Sequence, residues 1–83
     1  MNQILVVEDE AVIRAALRRL LERHEYRVSE AGSVRESLEK YDMDAFDVII
    51  SDLRLPGAPG TDLIKATSAP VLIMTSYSSI KSA

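Results

Sequence analysis

The chain has 83 residues, of which 47% are hydrophobic and 28% charged, with a net charge of −3 and no cysteine. That length makes one domain with a modest core, and the composition is too apolar for a disordered chain. The acidic balance gives no footprint for direct nucleic-acid or anionic-membrane binding, and without cysteine there are no disulfides, thiolate metal sites or thiol catalysis.

No apolar run approaches the roughly 18 residues of a membrane helix. No basic segment precedes the first apolar run, so a signal peptide is not expected and a cytoplasmic location is. The first run, Ile4-Leu5-Val6-Val7, leads into Glu8-Asp9 and reads as a strand buried on both faces. From about Glu10 to Arg23, Val12, Ile13, Ala16, Leu17, Leu20 and Leu21 recur at helical spacing. Arg14, Arg18, Arg19, Glu22 and Arg23 fill the opposite face, and the preceding acids suit the helix dipole. Tyr26 to Ala31 predicts a second strand, with Tyr26, Val28 and Glu30 alternating.

After a break at Gly32-Ser33, Ser33-Val34-Arg35-Glu36 fits a capping box. Val34, Leu38 and Tyr41 then line one face of a second helix, and Asp42 to Ala45 is a polar connection. The third strand runs through Val48-Ile49-Ile50-Ser51 into Asp52. Pro56, Gly57, Pro59 and Gly60 make an irregular loop. A short helix is predicted from Thr61, as cap, to about Lys65. Ser68-Ala69-Pro70 returns the chain to a fourth strand, Val71-Leu72-Ile73-Met74, ending at Thr75. Ser76 to Ala83 reads as a loop and the first turn of another helix. The alternation β-α-β-α-β-α-β implies an α/β domain with a parallel sheet and right-handed crossovers.

Ligands of open parallel sheets bind just beyond the carboxyl ends of the strands. Glu8, Asp9, Asp52 and Thr75 should therefore meet on one rim. Two unpaired carboxylates about 5 Å apart repel by roughly 3 kcal/mol at an effective dielectric near 20, so such a cluster must take up protons or bind a cation. Oxygen ligands without His or Cys point to Mg²⁺ before Ca²⁺ or Zn²⁺. A carboxylate can itself be a nucleophile and form an aspartyl phosphate. Taken singly, the acids at positions 8–10 also suit a helix start and Asp52 a turn. Two acidic strand ends with a hydroxyl at a third favour a site.

These strings resemble a known family. Val6-Val7-Glu8-Asp9-Glu10, the stretch from Ser51-Asp52-Leu53-Arg54-Leu55-Pro56 to Gly60, and Ile73-Met74-Thr75-Ser76 are similar to the receiver domains of two-component response regulators, the CheY-like superfamily. The resemblance runs in register across the whole chain. It implies a flavodoxin-like doubly wound sheet with four strands in the order 2-1-3-4. It implies Asp52 as phospho-acceptor, taking its phosphoryl group from a sensor histidine kinase. It further implies Mg²⁺ held by Asp9, Asp52 and the backbone carbonyl of Arg54, with Glu8 acting through metal-bound water. Thr75 would be the switch hydroxyl, and Arg54 and Tyr77 would tune the rate of phosphoryl loss. Such a domain is a switch and not a turnover enzyme. It usually governs a separate output domain, often one that binds DNA. The Asp52 and Thr75 strings look somewhat like those of sigma-54-dependent, NtrC-like regulators.

Family members continue through a fourth helix, a fifth strand bearing a lysine and an aromatic switch residue, and a fifth helix. These lie beyond Ala83, and Lys81, six positions after Thr75, is no substitute for that lysine. Read as a receiver that ends at Ala83, the chain would have impaired phosphotransfer. Its fourth strand would be an open edge, inviting a homodimer or a domain-swapped oligomer. A receiver-like dimerisation or binding module is thus the alternative function. A nucleotide- or flavin-binding domain is disfavoured because acids replace the glycine-rich turn after the first strand. A haloacid-dehalogenase-like phosphatase is disfavoured because Arg54 stands where a second aspartate is needed. Arg14, Arg18, Arg19, Arg23 and Arg27 could form a kinase-docking surface, but a solvated face balanced by Glu22 and Glu25 is the preferred reading. His24 reads as a surface residue near a helix end, and Met43, Phe46 and Met74 as core.

Overall fold

A computed structural model of the chain describes residues 2–55 and 57–74. The apolar runs form strands where expected, giving β1 (Gln3–Val7), α1 (Ala11–Arg23), β2 (Arg27–Ala31), α2 (Val34–Lys40), β3 (Val48–Asp52), α3 (Asp62–Ala66) and β4 (Val71–Met74). All pairings are parallel, in the order β2-β1-β3-β4. Successive side chains of a strand point to opposite faces, so β1 feeds two cores. Leu5 and Val7 pack with Ala31, Val34, Met43, Phe46, Ile49 and Leu63 on one face. Ile4 and Val6 pack with Val28, Leu17, Leu21, Tyr26, Val48 and Ile50 on the other. Each fully buried Leu, Ile or Val contributes roughly 1.5–3 kcal/mol, so β1 is the energetic centre of the sheet.

The apolar arc of α1 is wider than the surface the sheet offers it. Leu17 and Leu21 join the second core, whereas Val12 is 83% and Leu20 52% exposed. At 100° per residue, Leu17 and Leu21 form one row, and Val12, Ala16 and Leu20 lie on a row turned away from the sheet. The helix closes in a Schellman arrangement: Tyr26 N–H donates to the Leu21 carbonyl (3.2 Å) and Glu25 N–H to the Glu22 carbonyl (3.0 Å). Glu25 occupies the left-handed position at φ 68°, where glycine is usual.

The predicted capping box of α2 forms in part, with the return bond one residue before the Ser33 cap. Ser33 Oγ accepts from Glu36 N–H (3.0 Å), and Glu36 Oε1 reaches back to accept from Gly32 N–H (2.9 Å). Its inner face differs from expectation, because Leu38 is exposed and Ser37 is buried between Val34 and Tyr41. Ser37 is tolerated there because its hydroxyl donates to the Ser33 carbonyl (2.8 Å). Tyr41 donates to the Glu30 carbonyl (2.9 Å) and stacks edge-on against Phe46. The polar connection that follows contains a 3₁₀ turn, Met43–Ala45, which carries Met43 into the core. Thr61 stands at the α3 cap position in helical conformation and makes no side-chain capping bond, contrary to its predicted role.

Candidate metal centre

Val7 of β1 pairs in register with Ser51 of β3. The residues that follow them, Glu8 and Asp52, consequently reach the same edge of the sheet. Oxygens of Glu8, Asp9 and Asp52 lie within 4.8 Å of one another, as the sequence predicts for these three acids. Their environments differ sharply: Glu8 is 0% and Asp52 1% exposed, while Asp9 is open to solvent. Glu8 extends the β1–β2 ladder by donating its N–H to the Ala31 carbonyl (3.0 Å). Its Oε2 accepts from Glu10 N–H at 2.9 Å. Asp52 Oδ1 accepts from the backbone N–H of Arg54 at 3.3 Å, and the Arg54 side chain is exposed. Glu8 Oε1 and Asp52 Oδ2 are buried without a hydrogen-bond partner among the described residues.

Burial pushes the Glu8 carboxyl up to about 7, opposed by the Glu10 amide and reinforced by Asp9 and Asp52. A buried unsatisfied polar atom costs about 1–3 kcal/mol, more when charged. A hard divalent cation would satisfy both orphaned oxygens and the repulsion among the three acids together. The all-oxygen donor set suits Mg²⁺, and the residues present fit it.

Gly60 supports this edge from behind. A Cβ there would stand 2.1 Å from the Asp52 carbonyl oxygen and 2.5 Å from Ser51 Oγ. The loop closes onto the strand end through Gly60 N–H donating to the Leu53 carbonyl (3.2 Å). Sequence reading placed Gly60 in an irregular loop, since a glycine's packing partner leaves no trace in its own letter. It also missed Arg14, read as part of a solvated face, whose Nη1 donates to the Glu8 carbonyl at 2.8 Å. Arg14 Nε pairs with Glu30 at 3.1 Å, and Arg18 pairs with both Glu30 and Glu22. The face is thus balanced by Glu30 on β2 and by Glu22; Glu25 makes no ion pair with these arginines among the described residues. Thr75, Tyr77 and Lys81 lie outside the described residues.

The chain matches the model of the response regulator receiver domain over residues 4–83. Among curated relatives, the transcriptional regulatory protein ResD of Bacillus subtilis is 36% identical over 78 residues, covering 89% of this chain and 32% of its own length. The transcriptional regulatory protein ZraR of Escherichia coli is 38% identical over 85 residues, covering 96% of this chain and 19% of its own. The chain thus spans about a fifth to a third of the length of these relatives. Among solved structures, the non-phosphorylated HemR receiver domain of Leptospira biflexa superposes with a TM-score of 0.80 at 34% identity, over 93% of this chain and 66% of that one. The response regulator TrrA of Thermotoga maritima, in complex with Mg²⁺-BeF, gives a TM-score of 0.80 at 31% identity, over 99% of this chain and 76% of that one. Strand order, the acidic sheet edge and these similarities converge: the chain belongs to the response regulator receiver domain family.

Proposed function

We propose that this receiver is a phosphorylation switch in which Asp52 accepts a phosphoryl group from the phosphohistidine of a sensor histidine kinase. The observation that carries the proposal is the pair of buried oxygens without partners, Glu8 Oε1 and Asp52 Oδ2, beside the exposed carboxylate of Asp9. Asp9, Asp52 and the Arg54 backbone carbonyl would hold Mg²⁺, with Glu8 acting through a bound water. When bound, Mg²⁺ supplies neutralisation of the charge on the transferring phosphoryl group.

The chain's own residues supply the rest. The Arg54 amide keeps one Asp52 oxygen in place and leaves the other uncommitted. In the transfer, an Asp52 oxygen bonds to phosphorus as the N–P bond breaks, and the electron pair returns to the donor imidazole. Thr75 is the proposed switch hydroxyl. The register of Asp52 with Met74, the residue before Thr75, supports this assignment.

The domain is proposed to act in the cytoplasm as a switch and not as a turnover enzyme. It would control a separate output domain, as the transcriptional regulatory relatives suggest, and that domain would make any DNA contact. The test is intact-mass analysis after incubation with Mg²⁺ and a small-molecule phosphodonor. Wild type should gain a single phosphoryl group and Asp52→Asn none. Equal labelling of the two would refute the assignment.

A further inference from the structure

We propose that Arg14 is a positioning residue for the acid pair, holding the peptide between Glu8 and Asp9 so that both carboxylates converge on Asp52; this rests on the magnesium reading above. The Glu8 carbonyl belongs to the peptide group that joins the two acids, and Arg14 Nη1 donates to it at 2.8 Å. The peptide on the other side of Glu8 is tied to the Ala31 carbonyl at 3.0 Å. Arg14 Nε is in turn fixed by Glu30 at 3.1 Å, one residue before Ala31. Both peptides flanking Glu8 are therefore referenced to the end of β2, one directly and one through Arg14. Rotation of the Glu8–Asp9 peptide would swing the exposed Asp9 carboxylate away from Asp52. No other contact from a neighbouring element holds the Glu8 carbonyl among the described residues.

Charge and orientation make opposite predictions here, which gives the inference its edge. A guanidinium beside a cation site weakens cation binding by repulsion. Arg14 is paired with Glu30, so little of that repulsion remains and orientation dominates. Arg14 also lines an open polar cleft of about 220 Å³, with Glu30, Gly32, Glu36 and Lys40. Removing its guanidinium admits water to the Glu8 carbonyl and creates no closed cavity, so the fold should survive.

The experiment is calorimetric titration of the protein with MgCl₂, accompanied by NMR of the Asp9 and Glu10 amides. Wild type binds Mg²⁺, and Arg14→Met weakens binding about tenfold, at the low end of the range for groups that orient metal ligands. Arg14→Lys keeps the charge but cannot bridge the Glu8 carbonyl and Glu30, and it also weakens binding. Arg18→Met removes the other cation on Glu30 without touching Glu8, and it changes affinity by less than about twofold. In metal-free protein, Arg14→Met and Arg14→Lys shift the Asp9 and Glu10 amides, while Arg18→Met does not. Unchanged or tighter Mg²⁺ binding by Arg14→Met overturns the inference, as does unweakened binding by Arg14→Lys should the Met variant fail to fold. Absence of Mg²⁺ binding by wild type would instead overturn the reading of the site itself, and the inference with it.

Discussion

Glu8 and Asp52 end adjacent parallel strands, both buried, and each keeps one carboxylate oxygen without a hydrogen-bond partner among the described residues. Interiors rarely leave such atoms unmatched, because each costs about 1–3 kcal/mol. Here the cost falls on an edge where strands terminate and a charged ligand can approach. This relationship, more than the number of acids, separates a site from helix-start acids.

The first consequence concerns pH. Glu8 is raised from 4.5 to about 7 chiefly by burial, so the folded protein holds a proton that the unfolded chain has already released between those values. The folded state then binds more protons, and stability falls as pH rises through that window and levels off above it. At about 1.4 kcal/mol per pH unit, the loss is on the order of 3 kcal/mol. Urea denaturation in EDTA at pH 5 and pH 8 should show the wild-type midpoint dropping. Glu8→Gln should show a flatter response, and an identical drop in that variant would contradict the assignment.

Magnesium should reverse this trend. At a hundred times its dissociation constant a ligand adds about 2.7 kcal/mol, which moves the melting temperature of a domain this size by about 10 °C or more. Asp52→Asn removes both a proposed ligand and a repelling charge. In EDTA it should melt no lower than wild type, and it should lose most of the Mg²⁺ response. Scanning calorimetry with and without Mg²⁺ decides the point.

Gly60 is expected to be intolerant of any side chain. Gly60→Ala would force a methyl group against the Asp52 carbonyl oxygen and Ser51 Oγ. Overpacking of this kind costs about 1–3 kcal/mol. Because the displaced groups carry Asp52, phosphoryl uptake should fall as well as the denaturation midpoint. A variant with wild-type stability and labelling would show that the loop yields freely.

Glu25→Gly should stabilise the chain. A non-glycine residue in left-handed conformation costs roughly 1–2 kcal/mol, part of which is offset by the freedom glycine adds to the unfolded state. A net gain of about 1 kcal/mol, or about 4–8 °C in melting temperature, is the expected outcome. Melting curves of the two proteins would reveal a gain or its absence.

Much of this was legible in the letters, for local reasons. Short apolar runs ending in acids specified β1 and β3, because a strand buried on both faces needs no polar alternation. The Ser33 cap of α2 was readable because its hydrogen bond with the Glu36 N–H closes within one turn. The alternation of strands and helices implied a parallel sheet, and the motif strings carried the resemblance that implied its strand order.

What the tertiary structure alone decided depends on partners distant in sequence. Glu8 and Asp9 are chain neighbours, yet one is buried and the other exposed, because only Glu8 continues the ladder beneath the sheet edge. Periodicity marked six apolar positions on α1 without showing that the sheet covers only the Leu17–Leu21 row. Arg14 and Arg18 looked like a solvated face until β2 brought Glu30 beside them. A sequence lists donors, acceptors and apolar surface, and these set which elements can form. Which of those groups lose water and find each other is a property of the packed chain, and the site is made by that selection.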